Sequence, residues 1–311
     1  MDSTPSIDVT RQHIRASEDD LNRIRGTHTA RRSGKPWSFW VGRVLFYVLI
    51  AFIILYTLFP FYWAVVSSLK TSSTVTETDL WPKEATLDNY RTVFQNSSFR
   101  KALLNSTIVS TSVVVVSLFL GIVAAYAIAR LPFRGRKFTL YLILSMTMFP
   151  SVAIIGSLFQ MMKTFGAFNT LWGLIVVYLT FTLPFTIWVL SNFFRSMPPD
   201  LEEAALVDGA TPMGALRQIL LPLAIPGAVT TGLLAFINAW SEFLYARSFT
   251  LSEKALTVQV AISQFTGNQQ YELPFAVRMA AAVVVTVPLL VGVLLVQGRI
   301  IAGLSAGAVK G

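Results

Sequence analysis

Apolar residues in this chain gather into runs roughly twenty residues long, separated by stretches rich in charge, proline and glycine. A helix needs about 20 apolar residues to cross a bilayer. Six such runs predict six spans, at roughly 44–66, 108–129, 138–162, 171–190, 225–244 and 276–297. The fold class that follows is an all-α integral membrane protein with about six transmembrane helices. Pro60, Pro150, Pro184 and Pro288 fall inside the runs. They read as packing kinks, since a membrane helix has neighbours that can satisfy the carbonyl a proline leaves free.

The polar segments fix an orientation. Arg11, Arg15, Arg23, Arg25, Arg31, Arg32 and Lys35 lie before the first run, and the link Arg130-Leu-Pro-Phe-Arg-Gly-Arg-Lys137 is half cationic. The positive-inside rule then makes the N-terminus cytoplasmic, and an even span count returns the C-terminus to the same side. Loops 67–107, 163–170 and 245–275 fall outside, and 130–137 and 191–224 inside. The first thirty-five residues lack the early apolar core of a signal peptide, so the first span is expected to be retained. Residues 1–43 read as a poorly ordered basic tail, either a topological anchor or a segment resting on anionic headgroups through Arg31, Arg32, Lys35 and Arg43. Residues 44–311 read as one transmembrane domain ending in a cytoplasmic tail, 298–311.

Composition narrows the chemistry. Only 13% of residues are charged and 54% are hydrophobic, whereas soluble domains carry about 25% charged residues. The net charge of +9 sits beside apolar runs, which is topology-setting behaviour and not a nucleic-acid footprint. There is no cysteine, so disulfides and cysteine-based metal or redox sites are excluded. The two histidines, His13 and His28, both lie in the tail.

The inside loop 191–224 is too long for a simple helix connection of about 2–8 residues, and it carries its own punctuation. Pro198-Pro199 stops the preceding span. Asp200 reads as an N-cap, with Glu203 completing a capping box. A short helix over 201–208 would end at Gly209, the residue best able to adopt the left-handed C′ conformation. Thr211 caps a second helix with Pro212 at its first position, running to Leu221-Pro222. Leu201, Ala204, Ala205 and Asp208 share helical spacing, which gives one small, apolar edge. Physics leaves two readings open: a surface for another protein, or a pair of helices lying passively on lipid.

Glu203-Ala204-Ala205, Gly209 and Ile219-x-Leu221-Pro222 resemble the EAA loop of ABC-importer permeases, in the spacing EAA-x3-G-x9-I-x-L-P. Further stretches are similar to MalG-type carbohydrate permeases. These are Asn105-Ser106, Ala124-Ala-Tyr-Ala-Ile-Ala-Arg130, Leu183-Pro-Phe-Thr-Ile-Trp-Val-Leu190, Asn238-Ala-Trp-Ser-Glu-Phe-Leu244 and Gly303-Leu-Ser-Ala-Gly-Ala-Val-Lys-Gly311. The resemblance covers the chain from about residue 43 to its end.

The resemblance implies a permease subunit of an ATP-driven carbohydrate importer for a malto-oligosaccharide, trehalose or similar sugar. It implies that 196–222 is a coupling loop docking on a separate ATPase through Glu203, Ala204, Ala205, Asp208, Gly209 and Ala210. The implied partners are a MalF-like permease, two ABC ATPase subunits and an extracytoplasmic sugar-binding protein, within membrane lipid and without nucleic acid. ATP and Mg would be used by the ATPase subunits, with no cofactor on this chain. Gln264, Asn268 and Gln269 in the outer loop would face the binding protein.

Substrate contacts are read from the fifth span. Glu242 is the one carboxylate there, and intramembrane charges face cavities or partners. Trp240 suits stacking on a sugar face or a place in the interfacial aromatic belt. Asn238 suits hydrogen bonding to hydroxyls or to a neighbouring helix.

No G-x-x-x-x-G-K-[ST] loop is present: Gly34-Lys35 is followed by Pro36. The energy source must then be another chain or an ion gradient. An ion-driven secondary transporter is the main rival, although such proteins usually bury acidic or histidine relays in their spans. Gly303-Leu-Ser305-Ala-Gly307 matches a nucleophile elbow but has no histidine after the serine, which excludes that chemistry. Asn96-Ser-Ser98 and Asn105-Ser-Thr107 match the glycosylation sequon and read as chance.

Overall fold

The computed structural model describes residues 37–71, 73–265 and 275–308, without the side chains of 38, 151 and 299–308. Asn268, Gln269 and nearly all of the basic tail lie outside the described residues. All regular structure among those described is helical. The chain divides into two units, Met1–Pro60 and Phe61–Gly311.

The described part of the first unit belongs to α1 (Trp37–Ser68). This stretch is apolar on every face, with Trp37, Phe46, Phe52 and Tyr56 all exposed, the pattern of a helix whose surroundings are lipid or other helices. Its Thr57 hydroxyl donates to Ile53 O at 2.8 Å, so that hydroxyl presents no free hydrogen to an apolar environment.

The second unit opens with the last two turns of α1 and a folded loop. Lys70 is buried there, its Nζ 2.6 Å from Glu77 O and 4.9 Å from the Trp63 ring centre. Asn89 donates to both Ser68 O and Lys70 O, tying α2 (Asp88–Gln95) to the end of α1. Asn96 then caps α3 (Ser97–Arg130) by accepting from Phe99 N–H at 3.0 Å. The first sequon-like asparagine is therefore a helix cap.

At 34 residues, α3 is about 51 Å long, well beyond the ~30 Å hydrocarbon core. It packs along α6 (Leu171–Ser196) and beside α9 (Leu221–Trp240). Small residues bring these helices close: a Cβ added at Gly121 would sit 2.7 Å from Thr186 Cγ2, and one at Gly227 would sit 2.6 Å from the Phe193 ring. Apolar burial drives little between helices in lipid, so such close packing carries the association. One apolar cluster joins Ala125, Tyr126, Leu190, Phe194, Leu216 and Leu220 near the Arg130 end of α3. Another joins Phe99, Trp240, Val258 and Ala280 toward the Ser97 end, where α12 (Phe275–Ala308) and α9 meet.

Among the described residues, five helices are long and apolar enough to cross a membrane, and a sixth span is reached only by counting a bent pair as one. That pair, α4 (Arg136–Thr147) and α5 (Ser151–Thr164), covers the expected third span but is broken by a 95° turn. Pro150 is extended at φ −64°, ψ 115°. Its ring disfavours a helical conformation at Phe149 and it supplies no N–H to the preceding turn. Pro150 is a break, whereas Pro60, Pro184 and Pro288 lie within continuous helices.

The fifth span also differs from expectation. Its helix begins at Leu221 and ends at Trp240, so Glu242 lies beyond it. Before it, a π-helical turn, Leu216–Leu220, follows α8 (Pro212–Ala215) without interruption. Pro222 cannot donate to Gln218 O, and its ring would clash with that carbonyl in a regular helix. The wide turn, closed from Leu221 N–H to Leu216 O, relieves the clash.

Candidate functional site

The loop after α6 folds as α7 (Asp200–Val207), a tight turn and α8. Two backbone bonds close α7: Gly209 N–H to Leu206 O at 3.1 Å and Ala210 N–H to Ala205 O at 2.9 Å. This is the double closure of a Schellman motif, and it needs Gly209 at φ +86°, where other residues are strained. Thr211 Oγ1 accepts from Gly214 N–H at 3.1 Å, with Pro212 next at N1, as the sequence predicts.

The capping box does not form. Pro199 already has helical angles and α7 starts at Asp200, without a side-chain cap. Asp200, Glu202 and Glu203 instead occupy the first turn together, where negative charge suits the helix dipole.

Of the loop residues singled out in the sequence, Glu203, Ala204, Asp208 and Gly209 are exposed, Ala210 is half-buried and Ala205 is buried. Val207, at 87% exposure, projects beside them. The exposed edge of α7 is thus a carboxylate flanked by small and apolar surface.

The inner edge is anchored by residues the sequence reading missed. Tyr126 Oη donates to Glu202 Oε1 at 2.6 Å, and Pro212 O lies 3.1 Å from the same hydroxyl. Arg130 Nη2 donates to Met197 O at 2.8 Å, with its Nε 3.7 Å from Glu202 Oε2. Nothing local could have revealed these ties, since they join residues 67 to 86 positions apart.

A second feature is an open cavity of about 740 Å³ between the α4–α5 break, α6 and the segment after α9. Ser145, Thr147 and Thr180 supply hydroxyls, Phe149, Phe181 and Tyr245 rings, and Asn238 and Glu242 the stronger polar groups. The three hydroxyls each donate back to a carbonyl of their own helix, which leaves them as acceptors. Glu242 spans two roles. Its carboxylate lines the cavity while accepting from Tyr245 N–H at 2.8 Å and Ala246 N–H at 2.9 Å, which caps α10 (Leu244–Phe249). Trp240 is not brought to the cavity. It is only 2% exposed, stacks on Phe236 and donates its indole N–H to Val285 O at 3.2 Å.

The segment 241–265 is folded around α10 and α11 (Val258–Ser263). Asn105 Nδ2 lies 3.0–3.4 Å from three of its carbonyls, Glu253 O, Lys254 O and Leu256 O. Ser106 Oγ accepts from Val258 N–H. Asn169 accepts from Leu251 and Ser252 N–H. Gln264 is exposed beside α11 and borders a small cleft with Asn96 and Ser98.

Long spanning helices joined by an EAA-spaced loop at one end define a membrane permease. Residues 117–305 match the family described as binding-protein-dependent transport system inner membrane component, and the chain belongs to it. It is 46% identical over 264 residues to the trehalose transport system permease protein SugB of Mycobacterium tuberculosis, covering 85% of this chain and 96% of that one. It is 39% identical over 256 residues to the trehalose/maltose permease MalG of Thermococcus litoralis, covering 82% and 92%. In three dimensions it is similar to a bacterial ABC transporter that imports alginate, at TM-score 0.74 and 23% identity, over 85% of this chain and 98% of that one. This last likeness is one of fold.

Proposed function

We propose that this chain forms one half of the translocation pathway of an ATP-driven carbohydrate importer, with trehalose, a malto-oligosaccharide or a similar sugar as cargo. The observation that carries this reading is the 46% identity to a trehalose permease across nearly its whole length. The cavity supports it: rings at Phe149, Phe181 and Tyr245 suit the apolar face of a sugar ring, while Asn238 and the hydroxyls at Ser145, Thr147 and Thr180 suit its hydroxyl edge.

A MalF-like permease supplies the other half. Two ABC ATPase subunits, using ATP and Mg, dock on the exposed edge of α7 through Glu203, Ala204 and the Gly209 turn. The N- and C-termini lie on that cytoplasmic side. An extracytoplasmic sugar-binding protein delivers cargo to the opposite side, near Gln264. This chain serves as a transport subunit without an ATPase site of its own, since no Walker loop occurs in its sequence.

The test is reconstitution of the chain with its native partners in liposomes. ATP-dependent uptake of trehalose or maltose, and stimulation of ATPase activity by the same sugar through the binding protein, is the expected result. Uptake that survives ATP depletion and collapses with the ion gradient overturns the reading in favour of a secondary transporter.

A further inference from the structure

We infer that Tyr126, Arg130 and Glu202 form a latch that fixes the EAA-like loop to the end of α3, so that displacement of α7 moves α3 as a rod. This rests on the reading of α7 as an ATPase-docking helix, and it assigns positioning roles to three residues outside the EAA pattern.

Glu202 points opposite to the exposed edge of α7. One carboxylate oxygen takes the Tyr126 hydroxyl at 2.6 Å and the other faces Arg130 Nε at 3.7 Å. Arg130 holds Met197 O, just before α7, while Pro212 O, just after the Gly209 turn, approaches the same tyrosine hydroxyl. Three points of the loop, before, within and after α7, therefore converge on two side chains one helical turn apart on α3. The side chains are well covered, at 10% exposure for Arg130 and 13% for Glu202, and Tyr126 is itself buried with its ring edge against Phe194.

A covered ion pair is a poor source of net stability but fixes geometry well, because a misplaced charge is left without a partner. Arg130 Nε makes no hydrogen bond in this arrangement. The guanidinium thus has a donor in reserve, which a displacement of Glu202 toward it by under 1 Å would engage.

The other end of α3 explains why such a latch matters. Near Ser97 the same continuous helix holds the 253–258 segment through Asn105 and Ser106. A helix is stiff along its axis, and this one runs unbroken and free of proline between the two attachments. Movement imposed at Glu202 is delivered to the segment leading into α11 without passing through the cavity lining.

The experiment uses the full importer complex in liposomes and measures sugar transported per ATP hydrolysed. That ratio is insensitive to how much complex folds. Tyr126→Phe keeps the ring packing and removes one hydroxyl, and Glu202→Gln removes the charge. Each is expected to lower the ratio by about tenfold, the consequence of losing a hydrogen bond to a charged group, with sugar KM unchanged. Arg130→Lys keeps the charge without the forked geometry and is expected to fall between these and wild type. Gly209→Pro serves as the reference arm. If it lowers the ratio while Tyr126→Phe and Glu202→Gln both leave it within twofold of wild type, the latch is overturned and the docking reading stands. If Gly209→Pro also leaves the ratio unchanged, the docking reading itself fails, and the latch with it.

Discussion

At its Arg130 end α3 meets a loop whose shape is set by backbone closure over a few residues, whereas toward its Ser97 end it meets a segment held by side chains reaching across 148 or more positions. In the loop, Gly209 and Thr211 each complete a bond with a neighbour within five residues. In the segment, Asn105, Ser106 and Asn169 supply the amide and hydroxyl groups that an irregular backbone needs. A loop closed locally keeps its form when its surroundings move. One closed by distant side chains keeps its form only while the helices carrying them stay in register. The first arrangement suits a rigid part that is pushed, and the second a part that responds.

The sharpest way to break this contrast is at Gly209. Gly209→Pro removes the N–H that reaches Leu206 O and cannot adopt φ +86°, so it should cost about 3 kcal/mol locally. It should abolish sugar-dependent stimulation of the ATPase while the complex still assembles. Next in size is Asn105→Ala. Two amide hydrogens serve three carbonyls there, and their loss should destabilise the segment by about 1–3 kcal/mol. Faster hydrogen exchange confined to residues 250–258 would confirm that this end depends on distant side chains. An effect spread equally over α7 would erase the distinction.

Thr211→Ala should cost about 1 kcal/mol, the usual value of a helix cap, and should fray α8 without altering exchange at 250–258. The smallest effect concerns acid. The hydrogen bond from Lys101, then its charge and the Ser98 hydroxyl, hold the Glu253 carboxyl below its ordinary value. A group lowered in this way contributes its stabilisation above the unfolded pKa of about 4.3 and loses it as pH falls through the folded value. Protection of 250–257 should therefore decline slightly below pH ~4, and Lys101→Gln should remove the decline. Both groups are exposed, so moderate salt should reproduce most of the acid effect.

The same contrast explains what could be read from the sequence. Spans were legible because membrane crossing demands long apolar runs, and the Gly209 and Thr211 turn was legible because its chemistry is local. The Asp200–Glu203 capping box failed because Pro199 is already helical, a point of backbone conformation that residue types alone do not decide. Pro150 and Pro184 look alike in sequence. Only the first breaks its helix, and the bend opens the cavity in which Phe149, Phe181 and Tyr245 gather. Trp240 and Glu242 lie two positions apart, yet the end of α9 between them sends one into packing against α12 and the other to the cavity rim. Tyr126, Arg130 and Glu202 were out of reach because their meeting depends on how α3 and the loop are placed in space.

The wide turn at Leu216–Leu220 has a consequence in angular phase. An α-helix advances by about 100° per residue, and a π turn accommodates one residue more than regular winding would. The faces of residues 211–215 are therefore rotated by about 100° relative to those of α9. Removing a single residue from this turn together with replacing Pro222 by alanine would permit regular winding and swing Thr211 and the end of the Gly209 turn to a different azimuth, with every cap still present. The orientation of the loop about the axis of α9 is thus encoded at one place, by one extra residue and the proline that favours the turn holding it.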